Sequence, residues 1–230
     1  MLVLKLTNKT LLHLSAVIGS LQMTKYFVDY GADIHAKDST DCKPVHVAAA
    51  GGFKDILELL FGRWYSRHCD HLTLLHIAAQ TGKSNVCELL IEKSADINAV
   101  SIFGSTPLHL ATGNGFKDIV GILLHNGAFY NALDGYKFTP FQRSKENSIS
   151  KLLNIVEELF RSVERNVDSL FEKEIEEAGK HSSYCFANAK CVKNETLLHF
   201  ATKKGCEEIV DILLKYGVNQ MLVILINVLL

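Results

Sequence analysis

Proline is scarce in this sequence: three residues in 230, at Pro44, Pro107 and Pro140. A proline-rich disordered or fibrous chain is thereby excluded. Net charge is also nearly absent, with 24 basic residues against 25 acidic ones, a formal −1. That balance lacks the basic surplus with which nucleic-acid binders neutralise phosphates, and no nucleic-acid partner is expected. It equally argues against a polybasic membrane-surface protein. The motifs G-x-x-x-x-G-K-[ST], G-x-S-x-G, H-E-x-x-H and C-x-x-C do not occur. With no phosphate cradle, nucleophile elbow, zinc-binding helix or dithiol site, the expectation is a protein that is not an enzyme and uses no cofactor.

Cysteine is thinly spread. Cys42, Cys69, Cys87, Cys185, Cys191 and Cys206 show no regular spacing, the pattern of reduced thiols in a cytoplasmic protein. His68, Cys69 and His71 form one His/Cys cluster, and Cys185 and Cys191 lie near His181. Neither group has a full metal-ligand set, so no metal is expected. Long apolar runs are missing as well. The N-terminal apolar stretch is interrupted by Lys5 and Lys9, and the apolar tail Met221–Leu230 is ten residues long. A membrane-spanning helix needs about 20.

Against these absences stands a strong periodicity. Six tetrapeptides share one pattern: Thr10 to His13, Lys43 to His46, Thr73 to His76, Thr106 to His109, Thr139 to Gln142 and Thr196 to His199. Their last residues are separated by 33, 30, 33, 33 and 57 positions. A threonine hydroxyl suits a helix N-cap, and the three prolines suit the first helical turn. Six residues after each motif histidine stands a glycine, at Gly19, Gly52, Gly82, Gly115 and Gly205, suited to end a helix. A second amphipathic run follows, such as Ile119–Leu124 or Ile209–Leu214, with apolar residues at i, i+1, i+3 and i+4.

This T-P-L-H signature at a period near 33 resembles the ankyrin-repeat family over roughly residues 9–217. The resemblance implies an all-α repeat solenoid of helix-turn-helix units with projecting β-hairpin loops. It also implies that His13, His46, His76, His109 and His199, with Thr10, Thr73, Thr106, Thr139 and Thr196, are architecture and not catalysts. No single unit can bury both its faces, so neighbours must stack.

The boundaries read as an N-terminal segment (1–8), five repeats (9–158, the fifth truncated), a degenerate repeat plus a final one (159–217), and an apolar tail (218–230). Leu159–Asn166 reads as the first helix of the degenerate unit and Val167–Ala178 as its second. The connection from Phe61 to Thr73 is three residues short, which predicts a stunted hairpin.

The implied function is protein–protein interaction, as a scaffold or adaptor, on a concave face of hairpin tips and first helices. The candidate contact residues are Lys37, Asp38, Asp41, Trp64, Tyr65, Arg67, Ile102, Phe103, Asp134, Tyr136, Lys137 and Lys193 on hairpins. Gln80, Thr81 and Asn114 join them from first helices. Aromatic residues and arginine are enriched at interface hot spots, which singles out Trp64, Phe103 and Tyr136. The degenerate unit followed by a good repeat is also similar to long arthropod ankyrin-rich proteins such as the spider latrotoxins. That likeness implies the alternative of a secreted fragment of a pore-forming neurotoxin.

Overall fold

The computed structural model describes residues 8–63, 73–165, 171, 173, 176 and 188–215. These residues form an all-α repeat solenoid of paired helices. The pairs are α1 (Leu11–Ile18) with α2 (Leu21–Asp29), α3 (Pro44–Gly51) with α4 (Lys54–Arg63), and α5 (Leu74–Thr81) with α6 (Ser84–Glu92). Three more follow: α7 (Pro107–Gly113) with α8 (Lys117–His125), α9 (Pro140–Arg143) with α10 (Asn147–Arg165), and α11 (Leu197–Lys204) with α12 (Glu207–Lys215). Two compact units result, Met1–Asp96 and Ile97–Leu230. Among the described residues no helix is long and apolar enough to cross a membrane.

Each first helix is set by its ends. At α1 the Thr10 hydroxyl accepts the N–H of His13, and Gly19 closes the helix at φ 74°. Gly52, Gly82 and Gly205 close α3, α5 and α11 in the same left-handed conformation. Helices of seven or eight residues do not persist alone, so packing must hold them. In the first unit the buried faces carry alanine pairs, Ala48 with Ala49 and Ala78 with Ala79, small enough for α3 to lie close against α1 and α5. Bulk comes from the second helices, through Ile56, Leu57 and Leu60 of α4 and Val86, Leu89 and Leu90 of α6. In the second unit Ile119, Val120, Ile122 and Leu123 of α8 do the same.

One boundary needs correction. The division expected between residues 158 and 159 falls inside α10, which runs unbroken for 19 residues. No proline or glycine lies between Phe141 and Ala178 to stop it. Ile149, Leu152, Leu153, Val156, Leu159, Phe160 and Val163 form a single buried stripe along α10. The last turns of α10 pack on the final repeat: Phe160 meets Phe200 at 6.3 Å, and the Cys206 thiol lies 3.8 Å from the Val163 carbonyl. Residues 159–165 thus hold the place against α11 that the degenerate unit's first helix was to take. Of Val167–Ala178 only Phe171, Lys173 and Glu176 are described; they are helical, and Phe171 is buried. The segments 1–7 and 218–230 lie outside the described residues, as does most of the shortened connection between Phe61 and Thr73.

The projecting hairpins carry no β-ladder among the described residues. Their only β pairing is two isolated bridges, Phe129 with Lys190 and Lys190 with Thr196.

Candidate protein-interaction surface

His13 and His109 are the joints from which their hairpins hang. The backbone N–H of Thr10 donates to His13 Nδ1 at 3.2 Å, and the Thr10 hydroxyl lies 2.9 Å from the same nitrogen. Since Nδ1 accepts, the ring proton sits on Nε2, which donates to the Cys42 carbonyl at 3.0 Å. His109 repeats this in the second unit: Thr106 N–H to Nδ1 at 3.2 Å, and Nε2 to the Phe138 carbonyl at 3.0 Å. One neutral imidazole therefore caps its own helix and anchors the base of the next hairpin. Burial holds the His109 pKa below the ordinary imidazole value, outweighing its bond to Phe138 and the Asp134 charge. At the fifth repeat Gln142 substitutes, its Oε1 accepting the Thr139 N–H at 2.8 Å.

Four turns share one geometry. The N–H groups of Asp38, Ser101, Asp134 and Cys191 donate to the carbonyls of Cys42, Ser105, Phe138 and Glu195 at 2.9 to 3.0 Å. The N–H groups of Asp41, Gly104, Lys137 and Asn194 return to those first residues at 2.8 to 3.0 Å. This last position is left-handed each time, with φ of 64°, 73°, 68° and 62°. Gly104 and Gly135 are needed where two hairpins meet. Gly135 N–H donates to the Phe103 carbonyl at 2.9 Å, and a Cβ on Gly104 would strike the Gly135 backbone. On the far side Val192 N–H reaches Asn131 Oδ1 at 3.0 Å, so the hairpins at 101–105, 134–138 and 191–195 stand in a row.

Two of the candidate contact residues turn inward. Asp38 Oδ1 accepts from the Thr40 N–H and hydroxyl and the Cys42 N–H, at 2.8, 2.7 and 3.1 Å. Asp134 Oδ1 accepts from Tyr136 and Phe138 N–H at 2.8 and 3.0 Å, while Oδ2 takes Arg143 Nε at 2.6 Å. For both carboxyls burial opposes ionisation, but the donors outweigh it and the pKa falls below the usual carboxylate value. Both side chains are consumed by their own hairpins.

The other described candidates face outward. Lys37 and Asp41 pair at 2.7 Å on one turn. Gln80 and Thr81 are exposed at the end of α5, and Asn114 at the end of α7, its amide donating to the Leu110 carbonyl. Ile102, Phe103 and Tyr136 are 68%, 62% and 66% exposed, and Lys137 and Lys193 are exposed beside them. Trp64, Tyr65 and Arg67 lie outside the described residues, as do His68, Cys69 and His71.

Sequence reasoning missed Arg143. It holds Asp134 and lays its guanidinium over Tyr136 and Phe138, 5.3 and 5.0 Å from the ring centroids. Its signal was faint: a cation at the end of a four-residue helix, nine positions after an aspartate. Leu133, Phe138 and Val192 were missed too, and all three are exposed. Cys87, by contrast, is buried and its thiol pushed up to about 12, which removes it as a nucleophile. Among the described residues no group of three or more His, Cys, Asp or Glu could hold a metal ion.

Capped helix pairs joined by projecting turns on histidine joints define a repeat scaffold of the protein-interaction class. Comparison with known proteins agrees: models of ankyrin repeats match residues 11–61, 62–134 and 193–223, and the chain belongs to the ankyrin-repeat family. It is 31% identical to Neurogenic locus notch homolog protein 1 of Xenopus tropicalis over 104 residues, 44% of this chain and 4% of that protein. It is 43% identical to mouse Protein phosphatase 1 regulatory subunit 27 over 49 residues, 21% of this chain and 32% of the relative. Bovine Protein fem-1 homolog C is 34% identical over 87 residues, 38% of this chain and 13% of the relative. The chain thus spans a third or less of the length of each.

Proposed function

We propose that this chain is a non-catalytic adaptor whose protein partner seats on the hairpin tips and first-helix ends of residues 97–230, with Phe103 and Tyr136 as anchors. The observation that carries this reading is the exposure of these two aromatic rings on turns closed by paired backbone hydrogen bonds. A large apolar side chain held in water by a rigid loop gains most when a partner covers it. Ile102, Lys137, Asn114 and Lys193 complete the contact. Lys37, Asp41, Gln80 and Thr81 offer a second, polar surface in the first unit. Trp64, Tyr65 and Arg67 take the same role on sequence grounds. A relative named as a phosphatase regulatory subunit supports action by binding. Six cysteines scattered without regular spacing support a cytoplasmic location.

Photo-crosslinking tests this directly. A photoreactive phenylalanine analogue is placed at Phe103, at Tyr136, or at the exposed Asp211 on α12, and the chain is irradiated in cells. Discrete protein adducts are expected from the first two sites and none from the third. Adducts from Asp211 alone would move the binding face to the second helices.

A further inference from the structure

We propose that the occupant of this face is an acidic segment that carries apolar anchors; this rests on the reading of the face above and adds its chemistry. Along the row of three hairpins the exposed apolar side chains are Ile102, Phe103, Leu133, Tyr136, Phe138 and Val192. The charges standing among them are of one sign. Lys137 and Lys193 rise from the second and third tips, exposed and without an ion pair among the described residues. Lys203 and Lys204 follow on the last turn of α11, with the Lys204 amine 5.8 Å from the Phe200 ring.

The acids nearby are already answered. Asp134 is buried and neutralised by Arg143, and Glu195 pairs with Lys203 at 3.0 Å. The whole chain carries a formal −1, so this positive field is a local segregation of charge. A partner that buries the apolar tips must come within a few ångströms of Lys137 and Lys193. Carboxylates on its rim would be attracted, and lysines or arginines would be repelled. Such rim charges act mainly on association rate and on partner choice. A single-stranded RNA would meet the same cations and could stack on Phe103, Tyr136 and Phe138, but a chain of formal −1 lacks the basic surplus that phosphate neutralisation needs, and Ile102, Leu133 and Val192 suit apolar side chains better than bases.

The test pans a phage-displayed random peptide library on the full chain at low salt. Its hits are then measured against three chains: the parent, F103A/Y136A, and K137E/K193E. All the substituted side chains are exposed, and an unchanged circular dichroism melt verifies that each variant folds. Hits rich in Asp and Glu interleaved with Leu, Phe or Trp are expected. They should lose binding to F103A/Y136A and weaken about tenfold on K137E/K193E, with a matching loss in high salt. Hits that need Phe103 and Tyr136 but are neutral or basic would overturn the acidic chemistry and leave the face standing. Hits indifferent to F103A/Y136A, or no enrichment at all, would overturn both. Tight binding of a fluorescent oligouridine that is lost in K137E/K193E would replace the peptide with a nucleic acid.

Discussion

The turn at Asp38 and the turn at Asp134 are built alike and present opposite surfaces. Each buries an aspartate whose Oδ1 collects loop N–H groups, and each hangs from a histidine Nε2, that of His13 or His109. The first carries Lys37 and Asp41 on its outside, paired with each other and in water. The second carries Tyr136, Lys137 and Phe138, with Arg143 drawn underneath as a support. Architecture and recognition thus occupy different atoms of the same short segment. A partner surface can change through the outward residues alone, provided the aspartate and the histidine stay.

The strongest way to break the comparison is to remove the joint. His109→Ala leaves the buried Thr106 N–H without its acceptor, at about 1–3 kcal/mol, and takes from the Phe138 carbonyl one of its two donors, the other being the Asp134 N–H. A total loss of about 3 kcal/mol is expected, read from the urea midpoint of the full chain. His109→Gln should recover part of it, because Gln142 already caps α9 through its own Oε1. Equal losses for Ala and Gln would mean that the site needs ring volume and not the hydrogen bonds.

Next comes the difference between the two aspartates' surroundings. Arg143→Ala removes the cation paired with a carboxylate that has no exposed surface, and a loss of about 2 kcal/mol is expected. Lys37→Ala breaks an exposed i,i+4 pair and should cost at most about 0.5 kcal/mol. If the two variants melt together, Asp134 is held by its backbone donors and Arg143 serves only the rings above it. In that event Arg143→Ala should still weaken partner binding.

Acid gives a smaller and graded effect. The folded His109 resists the proton that an unfolded imidazole takes up near pH 6.5, so stability should fall as pH drops below that value. Asp38 and Asp134 have lowered values when folded, so their contribution is intact above about pH 4 and is lost as pH falls further. Urea midpoints from pH 7 down to pH 3 should show both steps, and H109Q should lack the upper one. A flat profile between pH 7 and pH 5 would contradict the burial argument for His109.

The first helices were readable from sequence because each is fixed locally, by two or more of a capping threonine, a first-turn proline and a closing glycine within ten residues. His13 and His109 were read as architecture from the family resemblance, and their reach to the Cys42 and Phe138 carbonyls, 29 residues on, emerged only from the fold. What stayed hidden depends on distant packing. The end of one helix and the start of the next cannot be parted by periodicity when a single stripe serves both, and so α10 was divided at residue 158. Asp38 and Asp134 were placed on the contact face because an aspartate in a turn looks the same from sequence whether it points into water or into its own loop. Arg143 could be assigned only once the chain had folded back on Asp134.

Lys43 tests how local that capping code is. It stands where threonine caps most of the other first helices, with the extended conformation of a cap, φ −95° and ψ 162°. Its ammonium has no lone pair with which to accept the N–H of His46. Proline follows at Pro44, as it does after Thr106 and Thr139, so the backbone is already set for threonine. Lys43→Thr should therefore raise stability by about 1 kcal/mol, with no change in helix content. The alternative outcome is informative: an unchanged or lowered urea midpoint would mean that the Lys43 methylenes stabilise the first unit as much as a hydroxyl cap would. The site would then owe its lysine to packing around the His46 joint and not to a lapse in the repeat.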